Sequence, residues 1–248
     1  MSQEKTSFFS SLNPQTSFFL GLAASLLIVC TIGFFVLLAF AIKDDSQNNK
    51  PAAVNNNQPT AVVNSPSPAV AGKVNVQVLD TDHLRGNKNA PVKIVEYSDV
   101  QCPFCSRFHP VLQQVLAEYG SEVAWIYRHF PLDQLHPNAR PGAEASECVY
   151  EQTGDEGFFA FIDGLFADQT NLGMPLYQKL ASEIGVDLEQ FNDCVATRKY
   201  QQKVENDLQQ GGVLGVTGTP GSFINGSLVK GAVPYASLKQ IIDSELSQ

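Results

Sequence analysis

The chain has 248 residues, with 16 Lys and Arg against 25 Asp and Glu, and a formal net charge of −9 at pH 7. Residues 1–72 hold three basic and three acidic side chains, so the remainder carries 13 against 22 and the whole imbalance. Such a surface excludes nucleic acid and anionic lipid as partners recognised by their phosphates.

Phe18–Ile42 is a run of 25 residues without a charge. At a rise of about 1.5 Å per residue it is long enough to cross a hydrocarbon core of about 30 Å, which predicts a transmembrane helix over 18–42 after a short N-terminus, 1–17. A cleaved signal peptide competes, because Ala39-Phe40-Ala41 has the small-x-small form of a cleavage site. The apolar run exceeds the usual h-region of about 7–15 residues, which favours the span. Cys30 inside it reads as a small apolar residue. Residues 43–73 contain Asn, Gln, Pro, Ser, Ala and Val without periodicity or aromatics, as in a disordered linker. Residues 74–248 are of single-domain size.

Val92–Ser98 is β-branched and alternating and predicts a buried strand. Phe104, Phe108, Val111, Leu112, Val115, Leu116 and Tyr119 recur at three- and four-residue steps, predicting a helix over 103–119. Between them stands Cys102-Pro103-Phe104-Cys105. Pro103 suits a first helical turn, which puts Cys102 at a helix N-terminus, where orphan N–H groups and the dipole favour a thiolate. Thiolates attack disulfides, so a lowered pKa at Cys102 and a shielded Cys105 one turn in predict a nucleophilic and a resolving cysteine. Two other readings of the pair stand beside this one. A structural zinc site wants a second close Cys or His pair, which is missing, and His109 offers a third ligand for a Cys-Cys-His metal-binding module.

Glu122–Phe130 predicts a second strand, closed by Pro131. Residues 137–212 read as helical, with Gly and Pro breaks near 141–142, 154–157, 173–175 and 185. Phe158, Phe159, Phe161, Ile162, Leu165 and Phe166 fill one of these helices with apolar groups. Ser222–Val229 reads as a hairpin through Asn225-Gly226, and Tyr235–Leu246 as a last amphipathic helix. The resulting order is a βαβ half (74–136), a helical block (137–212) and a ββα half (213–248).

The CPFC at 102–105, the run Ile94-Val95-Glu96-Tyr97-Ser98-Asp99 and Gly215-Val216-Thr217-Gly218-Thr219-Pro220, in that order, resemble the DsbA-like thiol:disulfide oxidoreductases. Arg128–Leu132 resembles the exit of that family's second strand, and Pro110 stands where its active-site helix kinks. The resemblance implies an α/β thioredoxin fold with an inserted all-helical subdomain, here preceded by the transmembrane helix. It implies a cis Pro220 facing the pair, with Thr219, Pro103 and Phe104 contacting the substrate peptide. It places Glu96 beneath Cys105 as a buried acid able to take that thiol's proton. The family's strongest oxidants carry His where Phe104 stands, so the pair is expected to be less oxidising than theirs. Cys148 and Cys194 in the helical block leave a second potential pair in an oxidising compartment, a structural disulfide or two buried thiols.

A dithiol oxidant would be kept reduced in the cytosol, which predicts a single-pass protein of the cytoplasmic membrane with its catalytic part on the extracytoplasmic side. No cofactor is implied. The expected partners are exported reduced or unfolded proteins and a membrane redox partner, either a quinone-linked oxidase or a membrane reductant. The alternative within the same chemistry is a disulfide reductase or isomerase.

Overall fold

Val92–Ser98 forms β2, the central strand of a five-stranded sheet with β1 (His83–Gly86), β3 (Val123–His129), β4 (Gly221–Ile224) and β5 (Ser227–Lys230), in the order β1-β3-β2-β4-β5. The computed structural model describes residues 72–248, so the expected N-terminus and transmembrane helix and nearly all of the linker lie outside the described residues. Among the described residues no helix is long and apolar enough to cross a membrane.

Strand β3 (Val123–His129) runs parallel to β2, the pairing expected when helix α1 (Pro103–Tyr119) crosses between them. Strand β4 (Gly221–Ile224) pairs antiparallel with the other edge of β2, and β5 (Ser227–Lys230) follows through a two-residue turn. Asn225 and Gly226 both have positive φ there, the geometry that makes Asn-Gly a hairpin signal. Helix α6 (Tyr235–Leu246) closes the chain.

One strand had no counterpart in the sequence reading. His83–Gly86 forms β1, antiparallel to β3 at the sheet edge. Four residues, two of them His and Arg, give too little alternation to register as a strand. Pairing and side-chain bonds hold it instead.

Between β3 and β4 lie α2 (Ala139–Ala167), α3 (Met174–Ile184), α4 (Leu188–Ala196) and α5 (Gln201–Val213). The break expected near 141–142 does not occur. Pro141 falls in the first turn of α2, where no intrahelical N–H bond is lost, and Gly142 lets the helix approach the active-site loop closely. A Cβ on Gly142 would lie 2.9 Å from Val100 Cγ2. The break at 154–157 is a kink at Gly154 within α2, and Gly185 ends α3 in the left-handed conformation. Cys148 and Cys194 are joined in a disulfide that ties α2 to α4 across 46 residues.

The sheet separates two apolar clusters. Ile94, Trp125, Tyr127 and Ile224 face Cys105, Phe108, Phe158, Phe159 and the helices α1, α2 and α6. Val95, Tyr97, Ile126 and Phe223 face the other side with Phe130 and Val216. Because β2 is central it is buried on both faces, and Glu96 with it.

Candidate active site

Cys102 is the N-cap of α1, in extended conformation, with Pro103 opening the helix behind it. Asp99 shapes the turn before it. Its Oδ1 accepts from the N–H of Gln101 at 2.8 Å and of Cys102 at 3.1 Å, while Oδ2 accepts from Leu132 N at 2.9 Å and meets His136 Nδ1 at 2.8 Å. From the helical block, Gln169 Nε2 donates to the carbonyls of Val100 and Cys102 at 2.8 and 3.1 Å. Neither role was read from the sequence. Asp99 offered a signal, an Asp two and three residues before the N–H groups it accepts from. Gln169 offered none, because 67 residues separate it from Cys102.

Both cysteines of the pair are free thiols, Cys102 at 3 % exposure and Cys105 at 0 %. The neighbouring Cys105 thiol and the N–H groups of Cys105 and Phe104 outweigh burial and lower Cys102 to about 5. Burial first, and then the neighbouring Cys102 and Glu96, hold Cys105 well above the usual thiol range. Equal side chains three residues apart are thus driven to opposite ionisation.

The Thr219–Pro220 peptide bond is cis, and Cys102 Sγ lies 3.5 Å from the Thr219 carbonyl oxygen. The loop preceding β4 and the adjoining hairpin line a groove of about 270 Å³, including Phe104, Val216, Thr219, Pro220 and Leu228. Phe104, 53 % exposed and 4.6 Å from the Arg107 guanidinium carbon, is its apolar lip. Pro103 is exposed beside it. Pro220 is buried and Thr219 half-buried; with Phe104 they line this groove, and Pro103 does not.

Glu96 lies wholly buried on the sheet face beneath Cys105, with Trp125 Nε1 donating to its Oε2 at 3.0 Å. Burial raises its carboxyl to about 7, against the pull of Ser98 and Trp125. A carboxyl poised there exchanges protons readily near neutral pH.

His109 does not join the cysteines. Its Nε2 lies 2.6 Å from Asp163 Oδ1, within a group completed by Gln113 and Arg85, so the Cys-Cys-His ligand set is not assembled. Among the described residues the donors that do gather are His83, His129 and Glu147, all buried. Both imidazoles meet Glu147 Oε1 through Nε2, at 2.7 and 3.0 Å, and Lys203 Nζ stands 3.7 Å from the same oxygen. That ammonium already supplies positive charge beside the carboxylate. The cluster reads as a clamp between β1, β3, α2 and α5.

A family model described as Thioredoxin matches residues 79–244. The Na(+)/H(+) antiporter NhaA 1 of Mycobacterium sp. (strain KMS) is 35% identical over 181 residues, 71% of this chain and 29% of the antiporter. The chain therefore spans less than a third of the length of that curated relative. Among solved structures, alpha-DsbA1 of Wolbachia pipientis is similar with a TM-score of 0.61 and 27% identity, covering 68% of this chain and 93% of its own. The thiol-disulfide exchange protein alpha-DsbA2 of Wolbachia pipientis follows at a TM-score of 0.60 and 25% identity, covering 66% and 87%.

Proposed function

The chain belongs to the thioredoxin family, whose model matches residues 79–244, and from that membership we propose that it is a thiol:disulfide oxidoreductase that forms disulfides in exported proteins. The opposed ionisation of the pair beside the Thr219–Pro220 edge carries the reading. A substrate thiolate attacks Cys102 Sγ of the oxidised pair. The Cys102–Cys105 bond breaks, Cys105 departs with the electron pair and takes a proton, and a mixed disulfide forms. The second substrate thiolate then attacks the substrate sulfur of that bond, and Cys102 leaves as the favoured thiolate. Substrate has lost two electrons and the pair has gained them. A quinone-linked membrane oxidase would return the pair to its disulfide. The head would work on the extracytoplasmic side of the cytoplasmic membrane, tethered through residues 18–42.

The groove lined by Phe104, Val216 and Leu228 suits an unfolded substrate segment, which would add to the chain at Thr219 in the manner of strand addition. The antiporter's name describes proteins more than three times the matched length, and transport is not part of this proposal. Phe104, in place of an imidazole donor, supports a second reading, a reductase or isomerase recharged by a membrane reductant.

Equilibrium titration against glutathione tests both. A potential near about −120 mV supports the oxidase and one near about −270 mV the reductase. Dithiol oxidation that persists at the wild-type rate in Cys102→Ser would refute exchange at this pair altogether.

A further inference from the structure

The face of the sheet beneath Cys105 holds more polar chemistry than one carboxylate. Glu96 and Ser98 stand two residues apart on β2 and so share a face, the one on which Ile94 packs with Cys105. Glu96 is in register with Tyr127 on one side and Ser222 on the other. All are at most 1 % exposed. Four of their polar atoms, Glu96 Oε1, Ser98 Oγ, Tyr127 Oη and Ser222 Oγ, have no hydrogen-bond partner within the protein. Buried polar atoms are nearly always paired, and such a group is what one ordered water needs to lodge.

We propose that the Ser98 hydroxyl is the proton relay between Cys105 and Glu96, assisted by one water held among these four atoms. This deepens the thiol-exchange reading and rests on it. Ser98 lies on β2 between Glu96 and the loop that carries Cys102, and a hydroxyl donates and accepts at once. Its hydroxyl stands near enough to Glu96 and Cys105 to favour the charged form of each, though not in direct hydrogen-bond geometry with either. Tyr127, held protonated by burial, keeps its own proton. When Cys105 departs from the opened disulfide with the electron pair, the Ser98 proton passes to Cys105 Sγ as the Glu96 carboxyl proton passes to Ser98 Oγ. Ser98 ends unchanged, Glu96 ends as carboxylate and Cys105 as thiol. The reverse sequence makes Cys105 a thiolate when it must attack.

The test is single-turnover reduction of the oxidised protein by a dithiol peptide, followed by the fluorescence of Trp125, which bonds Glu96. Ser98→Ala should slow the Cys105 protonation step about 100-fold, the lower end of general acid–base contributions, and Ser98→Thr should restore most of it. Alkylation of Cys102 should stay within about twofold of wild type, since that thiol makes no use of the relay. In wild-type protein a bowed proton inventory in mixed H₂O and D₂O should report more than one proton in flight, a readout that needs no variant to fold. A Ser98→Ala rate equal to wild type, or a linear inventory, overturns the relay while exchange itself stands. A wild-type protein that exchanges no disulfide overturns the reading on which the relay rests.

Discussion

Replacing Glu96 by Gln should stabilise the reduced protein at neutral pH and leave it unchanged in acid. The carboxyl rises from 4.5 to about 7 because folding takes it out of water. Below pH 4.5 both folded and unfolded states hold the proton and nothing is lost. Between 4.5 and 7 the unfolded chain releases it while the folded chain keeps it, so stability falls as pH rises, and above 7 the whole penalty is present. At about 1.4 kcal/mol per unit, a rise of 2.5 amounts to about 3.5 kcal/mol, undiminished by solvent because the group is fully buried. Gln cannot ionise, yet its side-chain oxygen still accepts from Trp125. For a domain of this size, about 3.5 kcal/mol corresponds to about 7–14 °C in Tm. Urea unfolding of wild type and Glu96→Gln at pH 4.5, 6 and 8, followed by the single tryptophan, measures the difference directly. Titrating groups away from Glu96 are common to the two proteins and cancel, and Cys105, held well above the usual thiol range chiefly by burial, stays protonated across this window in both. A gap that stays constant between pH 4.5 and 8, or a wild type that is the more stable at pH 8, would refute the argument.

Of the two thiols of the reduced pair, iodoacetamide should label Cys102 alone, with a midpoint near its value of about 5, and peptide mapping should find Cys105 unlabelled at pH 8. Removing the Cys148–Cys194 bond by double replacement with Ala releases a closed loop of 46 residues and should cost up to about 4 kcal/mol in denaturant unfolding. Glu147→Gln leaves His83, His129 and Lys203 around a neutral group and should cost about 3–5 kcal/mol at pH 7. Against burial, His129 and His83 hold the Glu147 carboxyl far below its usual 4.5. Its contribution is therefore complete above 4.5 and lost as pH falls below it, so the stability gap between wild type and Glu147→Gln should shrink on acidification, as acid titration by circular dichroism would show.

Much of the site was legible because its signals are local. The CxxC announces itself, Pro103 and the periodicity from Phe104 to Tyr119 place Cys102 at a helix start, and Asn225-Gly226 marks its hairpin. Each depends on backbone geometry within a few residues. β1 escaped because it owes its order to β3 and to Arg85 bonding Asp163, 78 positions away. Pro141 misled because the same residue that breaks a helix interior is welcome in a first turn, and sequence does not say where a turn begins.

Periodicity and spacing by themselves therefore marked the strands β2 to β5 and the helices α1 and α6, and set the Cys102–Cys105 pair at a helix start. Only the tertiary structure decided what surrounds those sulfurs. Asp99 and Gln169 fixing the loop, His109 drawn away by Asp163, Glu96 buried beneath Cys105 and the clamp at Glu147 all join residues from separate elements. Such contacts leave no periodic trace, because desolvation and hydrogen bonding act on neighbours in space, and it is the packed sheet that makes them neighbours.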